Sequence, residues 1–262
     1  MRLLFLTASA FILAACSETA SAPAAAAEPA SAAVSAADVE YGTAGTYTLD
    51  KNHTSVTWRV SHFGLSQYTG RFTEIDATLE FHPDDASATR LTATINPASV
   101  ETDYPGNYKA GHPNSDFESW NEDLARNANW FNADQFPQIT FTTTAVNPAT
   151  ANTGTVTGDL TFLGVTQPVT LDVTYNGVAN FPWAPDVDKI GFSARTTLKR
   201  SDFGQTTLAP NIGDEVEIII ETEFDLVVPP PAEYGPCPPH RQRAIPPSPS
   251  PFTGLWRYCF CS

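Results

Sequence analysis

Cysteine is missing from the central part of this chain. The 262 residues contain four cysteines, Cys16, Cys237, Cys259 and Cys261, so the long stretch from 17 to 236 has none. That stretch therefore has neither disulfides nor thiolate-bound metal, and the three C-terminal cysteines lack the spacing typical of zinc sites. We predict no metal site, and a fold that is stabilised by burial of apolar side chains.

Positive charge is also scarce. The chain has 14 Lys and Arg against 29 Asp and Glu, which gives a formal net charge of -15. Proteins that bind nucleic acids neutralise phosphates with clustered Lys and Arg, and this composition offers no such cluster. We therefore predict no nucleic-acid partner.

Common catalytic motifs are missing as well. The sequence has no G-x-S-x-G, no phosphate-binding G-x-x-x-x-G-K-[ST], no G-x-G-x-x-G and no H-E-x-x-H, and its five histidines are scattered. We predict no catalytic residues and no enzymatic activity. The alternative is an enzyme acting on a lipid head group, with His62 and Asp202 brought together by folding as acid and base.

The one long apolar run of the chain lies at its N-terminus, from Leu3 to Ala15 after Arg2. At about 1.5 Å per residue it is too short to span a hydrocarbon core of about 30 Å, so residues 1–15 are predicted to be an export signal peptide. The end of this run together with the next residue, Leu13-Ala14-Ala15-Cys16, resembles the lipobox of bacterial lipoproteins. That resemblance implies lipidation of Cys16 and a location on the periplasmic side of a bacterial membrane.

Ser17, in place of Asp, resembles the sorting signal of outer-membrane lipoproteins. An ordinary signal peptide with a cysteine in its cleavage site is the alternative. Residues 16–45 are rich in Ala, Ser and Pro and predict an unfolded tether behind the anchor. Residues 229–262 are rich in Pro and predict a disordered tail, although their abrupt change in composition also fits a frameshifted end.

Between 46 and 228, apolar and polar side chains alternate repeatedly. Such alternation predicts strands with one apolar face, at 56–62, 75–81, 91–95, 139–143, 156–162, 169–175, 190–198 and 216–226. Short connections favour antiparallel neighbours, and eight such strands either pack as two sheets or close into a barrel. Because closure leaves no exposed edges, we predict an all-β fold, an eight-stranded antiparallel barrel.

Two segments depart from this pattern. Near 115–130, Phe117, Trp120 and Leu124 recur at helical spacing after a possible cap at Ser115 or Asp116, so we predict an inserted helix. It either covers a barrel end or packs on the outer wall.

At the end of the strand 190–198, the register places Arg200 inside the barrel and Lys199 in solvent. An inward arginine needs a polar partner, either Asp202 in a salt bridge or the head group of a ligand.

Several short motifs together resemble the YceI-like family. They are Thr46-Tyr-Thr-Leu-Asp-Lys-Asn-His-Thr-Ser-Val56, Phe63-Gly64, Thr69-Gly-Arg-Phe72, Trp130-Phe-Asn132, Phe136-Pro-Gln-Ile-Thr-Phe141, the segment from Gly158 to Val169, Lys199-Arg-Ser-Asp-Phe-Gly204 and Gly213-Asp-Glu-Val-Glu-Ile218. The resemblance runs in the family's order from Thr46 to about Leu226. It implies a lipocalin-like barrel whose cavity accommodates an isoprenoid, such as a quinone or polyprenyl lipid, and no other cofactor.

An eight-stranded barrel is either filled by its own side chains or holds one small ligand. The candidate ligand-binding residues are those placed inside by alternation together with those at the barrel end, namely Trp58, Val60, His62, Phe63, Phe141, Phe162, Leu171, Val173, Phe192, Ala194, Arg200, Ile218 and Ile220. The predicted partner is a hydrophobic small molecule. The alternative is a filled structural or stress-response barrel with no ligand.

Overall fold

The structure is a computed structural model that describes residues 39–228. Within these residues the chain forms eleven strands in one antiparallel sheet, together with two short helices. The strands are β1 (Gly45–Leu49), β2 (Ser55–His62), β3 (Ser66–Phe72), β4 (Ile75–Phe81), β5 (Arg90–Ile95), β6 (Val100–Thr102), β7 (Ile139–Pro148), β8 (Thr153–Phe162), β9 (Val165–Phe181), β10 (Ala184–Lys199) and β11 (Ile212–Leu226), and the helices are α1 (Tyr108–Gly111) and α2 (Trp120–Arg126).

The eleven strands form eight ribbons that close into a barrel. Three ribbons consist of two strands in line, β1 with β2, β4 with β3, and β5 with β6, and the other five are β7 to β11. Strand β11 shows the arrangement directly, because Phe224 pairs with Leu49 of β1 while Ile220 pairs with Val56 of β2. The pairing of β1 with β11 closes the ring.

The eight-stranded antiparallel barrel predicted from the sequence is confirmed, and each of the eight predicted stretches lies in a different ribbon. Strands β1, β3 and β6 were not among them. Strand β6 has only three residues, and β3 carries only Tyr68 and Phe72 as large apolar side chains, so neither gives a strong alternating signal.

The alternation along each strand separates an apolar interior from a polar outer wall. In β11, Ile218 and Ile220 face the barrel interior. Glu217, which precedes Ile218, lies on the outer face, where it accepts a hydrogen bond from Arg59 of β2 and lies 3.5 Å from Arg195 of β10. The apolar side chains therefore face one another across the barrel.

The inserted helix is shorter than predicted and begins later. Helix α2 starts at Trp120, and the Ser119 hydroxyl caps it by accepting a hydrogen bond from the Glu122 N–H at 3.1 Å. The prediction of a cap at Ser115 or Asp116 was wrong. The Ser115 hydroxyl bonds the Tyr108 hydroxyl and the Phe117 N–H instead, which keeps it in the preceding loop.

Helix α2 lies beside β6, where the three-residue strand leaves a gap in the wall. Its Trp120 and Leu124 side chains face the barrel interior and pack in the same apolar cluster as Trp58 and Phe72. Helix α2 therefore does not pack on the outer wall, and it completes the cavity wall beside β6.

Aromatic side chains close one end of the barrel, and we call this end the base. Tyr47 and Ile190 are 0% exposed there and pack with Phe81 and Tyr175. The ring of Tyr41 stacks on Tyr175 with centroids 5.3 Å apart. Tyr41 belongs to the segment that composition assigned to the tether, so the packed domain begins before Thr46.

The predicted signal peptide, Cys16, most of the tether and the tail after 228 lie outside the described residues and stay predictions. Among residues 39–228, no helix has the length and hydropathy needed to cross a membrane.

Candidate ligand-binding cavity

The barrel interior contains a cavity of about 400 Å³. This volume falls within the roughly 300–1,000 Å³ usual for small-molecule sites. Its wall consists mainly of Trp, Phe, Leu, Ile and Val side chains from every ribbon, with helix α2 contributing beside β6. The interior is therefore not filled by the side chains of the described residues.

The cavity has a floor and a mouth. Leu49, Leu79, Phe192 and Phe224 line the cavity and pack in one cluster with Tyr47, Phe81 and Tyr175 of the base, so these four residues form the floor. Among the described residues that line the cavity, only His62 and Leu208 have exposed side chains. The cavity therefore reaches solvent between the end of β2 and the loop that precedes β11, at the end opposite to the base.

Twelve of the thirteen candidate residues lie on the wall of this cavity. They are Trp58, Val60, His62, Phe141, Phe162, Leu171, Val173, Phe192, Ala194, Arg200, Ile218 and Ile220. Phe63 does not line the cavity and is 51% exposed. The alternation ends at His62, and Phe63 adopts a positive φ of 54° in the turn after β2, which directs its side chain outward.

The cavity wall is tightly packed around Trp58. Its indole ring lies over Gly70 of the neighbouring strand β3, where a Cβ atom would come within 2.2 Å of the ring. This contact explains the glycine in the Thr69-Gly70-Arg71-Phe72 motif. The Trp58 Nε1 is buried and has no hydrogen-bond partner among the described residues.

Arg200 lies inside the barrel, as its register predicted, and is 6% exposed. Its guanidinium donates hydrogen bonds to the carbonyl oxygens of Gly213 at 2.7 Å and Ile212 at 2.8 Å, and to the side-chain amide oxygen of Gln205. Burial lowers the pKa of Arg200, and the charge of Asp214 partly offsets that effect.

The expected salt bridge between Arg200 and Asp202 is absent from the described residues. Asp202 is exposed, and its backbone oxygen accepts a hydrogen bond from Gln167. The sequence suggested Asp202 because it follows two residues later, but the chain turns sharply in the 3-10 helix Arg200–Phe203. The partners come instead from the segment 205–213, and they are neutral. The cavity wall therefore carries one buried positive charge that forms no ion pair with a carboxylate of the described residues.

Lys199 is exposed, as predicted, and lies opposite Glu215 in β11. His62 is also exposed, and its ring lies 4.7 Å from that of Phe63. Within residues 39–228 no hydrogen bond or ion pair joins His62 to Asp202.

Several lining residues were not predicted. Gln205 and Leu208 precede β11 in a loop, and Trp130 and Phe131 follow helix α2. None of these positions lies in a periodic segment, so alternation could not place them. Tyr68 of β3 lies in a weak alternation of Tyr68, Gly70 and Phe72 with polar residues, which is the only signal that could have indicated it.

One cluster on the outer wall has the residue types of a metal site. The ligating atoms of Asp50, His53 and Glu223 lie within 4.8 Å of one another. The Lys189 ammonium lies among them, 2.5 Å from Asp50 and 3.5 Å from Glu223, and also 2.8 Å from Asp225. Because this cation balances the carboxylates, the cluster is an ion-pair network that ties the end of β1 to β10 and β11.

Comparisons with known proteins agree with this architecture. The chain is 35% identical over 182 residues to Protein YceI of Salmonella arizonae, which covers 69% of this chain and 86% of the relative. The crystal structure of Campylobacter jejuni YCEI protein matches with a TM-score of 0.52 and 31% identity, over 70% of this chain and 98% of that one. BcnA of Burkholderia cenocepacia matches with a TM-score of 0.54 and 26% identity, over 67% and 98%.

The family model for the YceI-like domain matches residues 47–224, which span the barrel from β1 to β11. The motifs that suggested this resemblance lie on the strands and loops that build the cavity and its mouth. The chain therefore belongs to the YceI-like family.

Proposed function

We propose that this protein binds a long-chain amphiphile, an isoprenoid such as a quinone or polyprenyl lipid, and carries or sequesters it in the bacterial envelope. The observation that supports this function is the cavity of about 400 Å³, walled by apolar side chains, closed at the base and open at one mouth. A site of this shape retains a ligand without any covalent chemistry. The family resemblance points to an isoprenoid as the ligand.

Burial of the apolar chain provides the affinity. Transfer of apolar surface from water contributes about 25 cal/mol per Å², and the wall offers few polar groups that would have to lose water. Phe192, Val173 and Ile220 line the cavity and are only half-buried, so a ligand in the cavity would cover their remaining exposed surface.

Arg200 is the candidate partner of the head group. It lines the cavity in the same part of the barrel as Gln205 and Leu208, and its charge has no carboxylate partner among the described residues. An arginine held by neutral carbonyls attracts an oxygen with partial or full negative charge. Quinone carbonyls and phosphate groups both meet that description.

The experiment tests this function with a substitution that places a bulky, uncharged side chain in the cavity. Ala194 is buried on the wall of β10, and an Ala194→Phe substitution places a ring in the ligand's space. Thr197→Phe adds the same ring on the exposed face of the same strand and is the matched control.

Both variants and the parent are extracted under mild conditions, and bound lipid is measured by mass spectrometry of the native protein. We expect lipid with the parent and with Thr197→Phe, and at least a tenfold loss with Ala194→Phe. Parent protein that is consistently free of lipid would contradict the proposal. Thermal unfolding curves show whether Ala194→Phe remains folded, and the uptake of added retinol gives a second measure of the cavity.

A further inference from the structure

The mouth of the cavity is surrounded by exposed apolar side chains. Phe63, Leu65 and Leu208 are 51%, 87% and 54% exposed, and they make up three of the eight large hydrophobic residues that the described chain exposes. We call these three residues the rim. Large apolar side chains that are grouped on a surface mark a contact with another apolar phase more often than isolated ones do.

The rim belongs to two loops that the fold holds together. The Phe63 N–H donates a hydrogen bond to the Asn211 carbonyl oxygen at 2.6 Å, and Ile212 pairs with His62. Leu208 lines the cavity and is also exposed. The rim is therefore continuous with the cavity wall at the point where a ligand enters.

The two loops carry no ionic charge, although the chain as a whole is strongly acidic. Residues 60–70 and 203–213 contain no Asp, Glu, Lys or Arg, against a net charge of -15 for the chain. The base, by contrast, has Asp84 and Asp85 exposed in one hairpin and Asp186 in another. Asp202 and Asp214 lie just outside the uncharged loops, and the Asp214 carboxylate is turned to Ser201.

We propose that the rim docks the barrel, mouth first, on the uncharged surface of a lipid bilayer. Phe and Leu side chains insert favourably at the boundary between head groups and acyl chains, and a loop without charges enters that region with little loss of hydration. An acidic protein is repelled by anionic lipids, so the chemistry of the rim suits a zwitterionic bilayer. The docking does not require a ligand in the cavity. Its purpose, transfer of the amphiphile without passage through water, rests on the function proposed above.

The test measures binding of the full chain to phosphatidylcholine vesicles by flotation. Every protein carries Cys16→Ser, so that no acyl chain contributes to binding. The rim variant combines Phe63→Ser and Leu65→Ser, and it keeps Leu208 because that side chain also lines the cavity. Trp183→Ser removes a side chain that is 79% exposed in the β9–β10 hairpin and is the matched control.

We expect the parent and Trp183→Ser to float with the vesicles, and the rim variant to lose at least tenfold in partition coefficient. Leu65→Ser alone, at the most exposed rim position, is expected to lose about threefold and shows that the effect does not arise from misfolding. The proposal is overturned if the parent does not bind, if the rim variant binds as the parent does, or if Trp183→Ser loses as much. It is also overturned if light scattering without vesicles shows that the rim joins two copies of the chain.

Uptake of retinol, added from ethanol, tests ligand binding in the cavity independently of docking on the bilayer. A rim variant that takes up retinol but does not float supports docking and leaves the cavity intact. If no protein takes up retinol, ligand binding fails, while the flotation result still decides whether the rim docks.

Discussion

At the scale of single residues, Arg200 shows which features the sequence determines and which it leaves open. Counting from Phe192 and Ala194 places Arg200 inside the barrel, and the structure agrees. Its partners could not be read in the same way, because carbonyl oxygens 12 and 13 residues away accept its hydrogen bonds. Sequence proximity suggested Asp202 as the partner. Instead, neutral oxygen atoms of Gly213, Ile212 and Gln205, which we call the cage, accept the hydrogen bonds of the guanidinium.

We predict that this cage stabilises the barrel. Arg200→Met preserves much of the volume but leaves the Gly213 and Ile212 carbonyl oxygens without a donor, at a cost of about 1–3 kcal/mol. The exposed Lys199→Met is the control and is expected to change the free energy of unfolding by no more than about 0.5 kcal/mol. Urea unfolding followed by tryptophan fluorescence measures both. Equal stability of the two variants would show that the hydrogen bonds of Arg200 contribute nothing net to the fold.

At the scale of elements, strands with clear alternation were predicted well and their interruptions were not. Strands β1 and β2 share one ribbon but are separated by residues 50–54, where the chain forms a turn. Asp50 stabilises this turn, because its side chain accepts hydrogen bonds from the Asn52 N–H and Lys189. The first strand escaped prediction because its five residues carry only Tyr47 and Leu49 as large apolar side chains. The cap of α2 escaped because it depends on side-chain hydrogen bonds that periodicity does not report.

The Asp50 network predicts a loss of stability in acid. Burial alone would raise the pKa of Asp50, but hydrogen bonds from Lys189, His53 and the Asn52 N–H hold this pKa well below its usual value. Because the folded-state pKa lies below the unfolded one, the contribution is complete above about pH 4 and is lost as the pH falls further.

We expect Asp50→Asn to lower the free energy of unfolding by about 2 kcal/mol at pH 7 and to flatten its decline below pH 4. Asp76→Asn is the control, since its pair with Lys51 is exposed and contributes at most about 1 kcal/mol. An Asp50→Asn protein whose acid unfolding follows that of the parent would refute the role of this carboxylate.

At the scale of the whole molecule, closure of the barrel could be predicted and its cavity could not. Eight half-apolar strands without protected edges imply a closed wall. The barrel interior is either filled by side chains or contains a cavity. Which of the two occurs depends on the lengths of the ribbons and on residues of irregular segments, such as Phe131 and Gln205. The same apolar composition fits both cases, so the pattern alone left the choice between a ligand site and a filled core open.

We predict that the whole protein is held at a membrane through Cys16. Acyl chains on this residue would each contribute about 0.8 kcal/mol per buried methylene, enough in combination for a firm attachment. Cys16→Ser is expected to move the protein from the membrane fraction to the soluble fraction of the cell envelope. Cys237→Ser, outside the signal, is expected to leave it in the membrane. Intact-mass analysis that finds no lipid on the mature parent protein would exclude this anchor.

The floor formed by Leu49, Leu79, Phe192 and Phe224 has a consequence for the length of the proposed ligand. A cavity with one opening admits an amphiphile only with its tail first, and the distance from mouth to floor limits how much of the chain can be buried. For the function that we propose, tails up to that depth would bring the head group to Arg200, whereas longer tails would leave it outside the barrel. We therefore expect the floor to limit the number of repeating units that a bound lipid can bury.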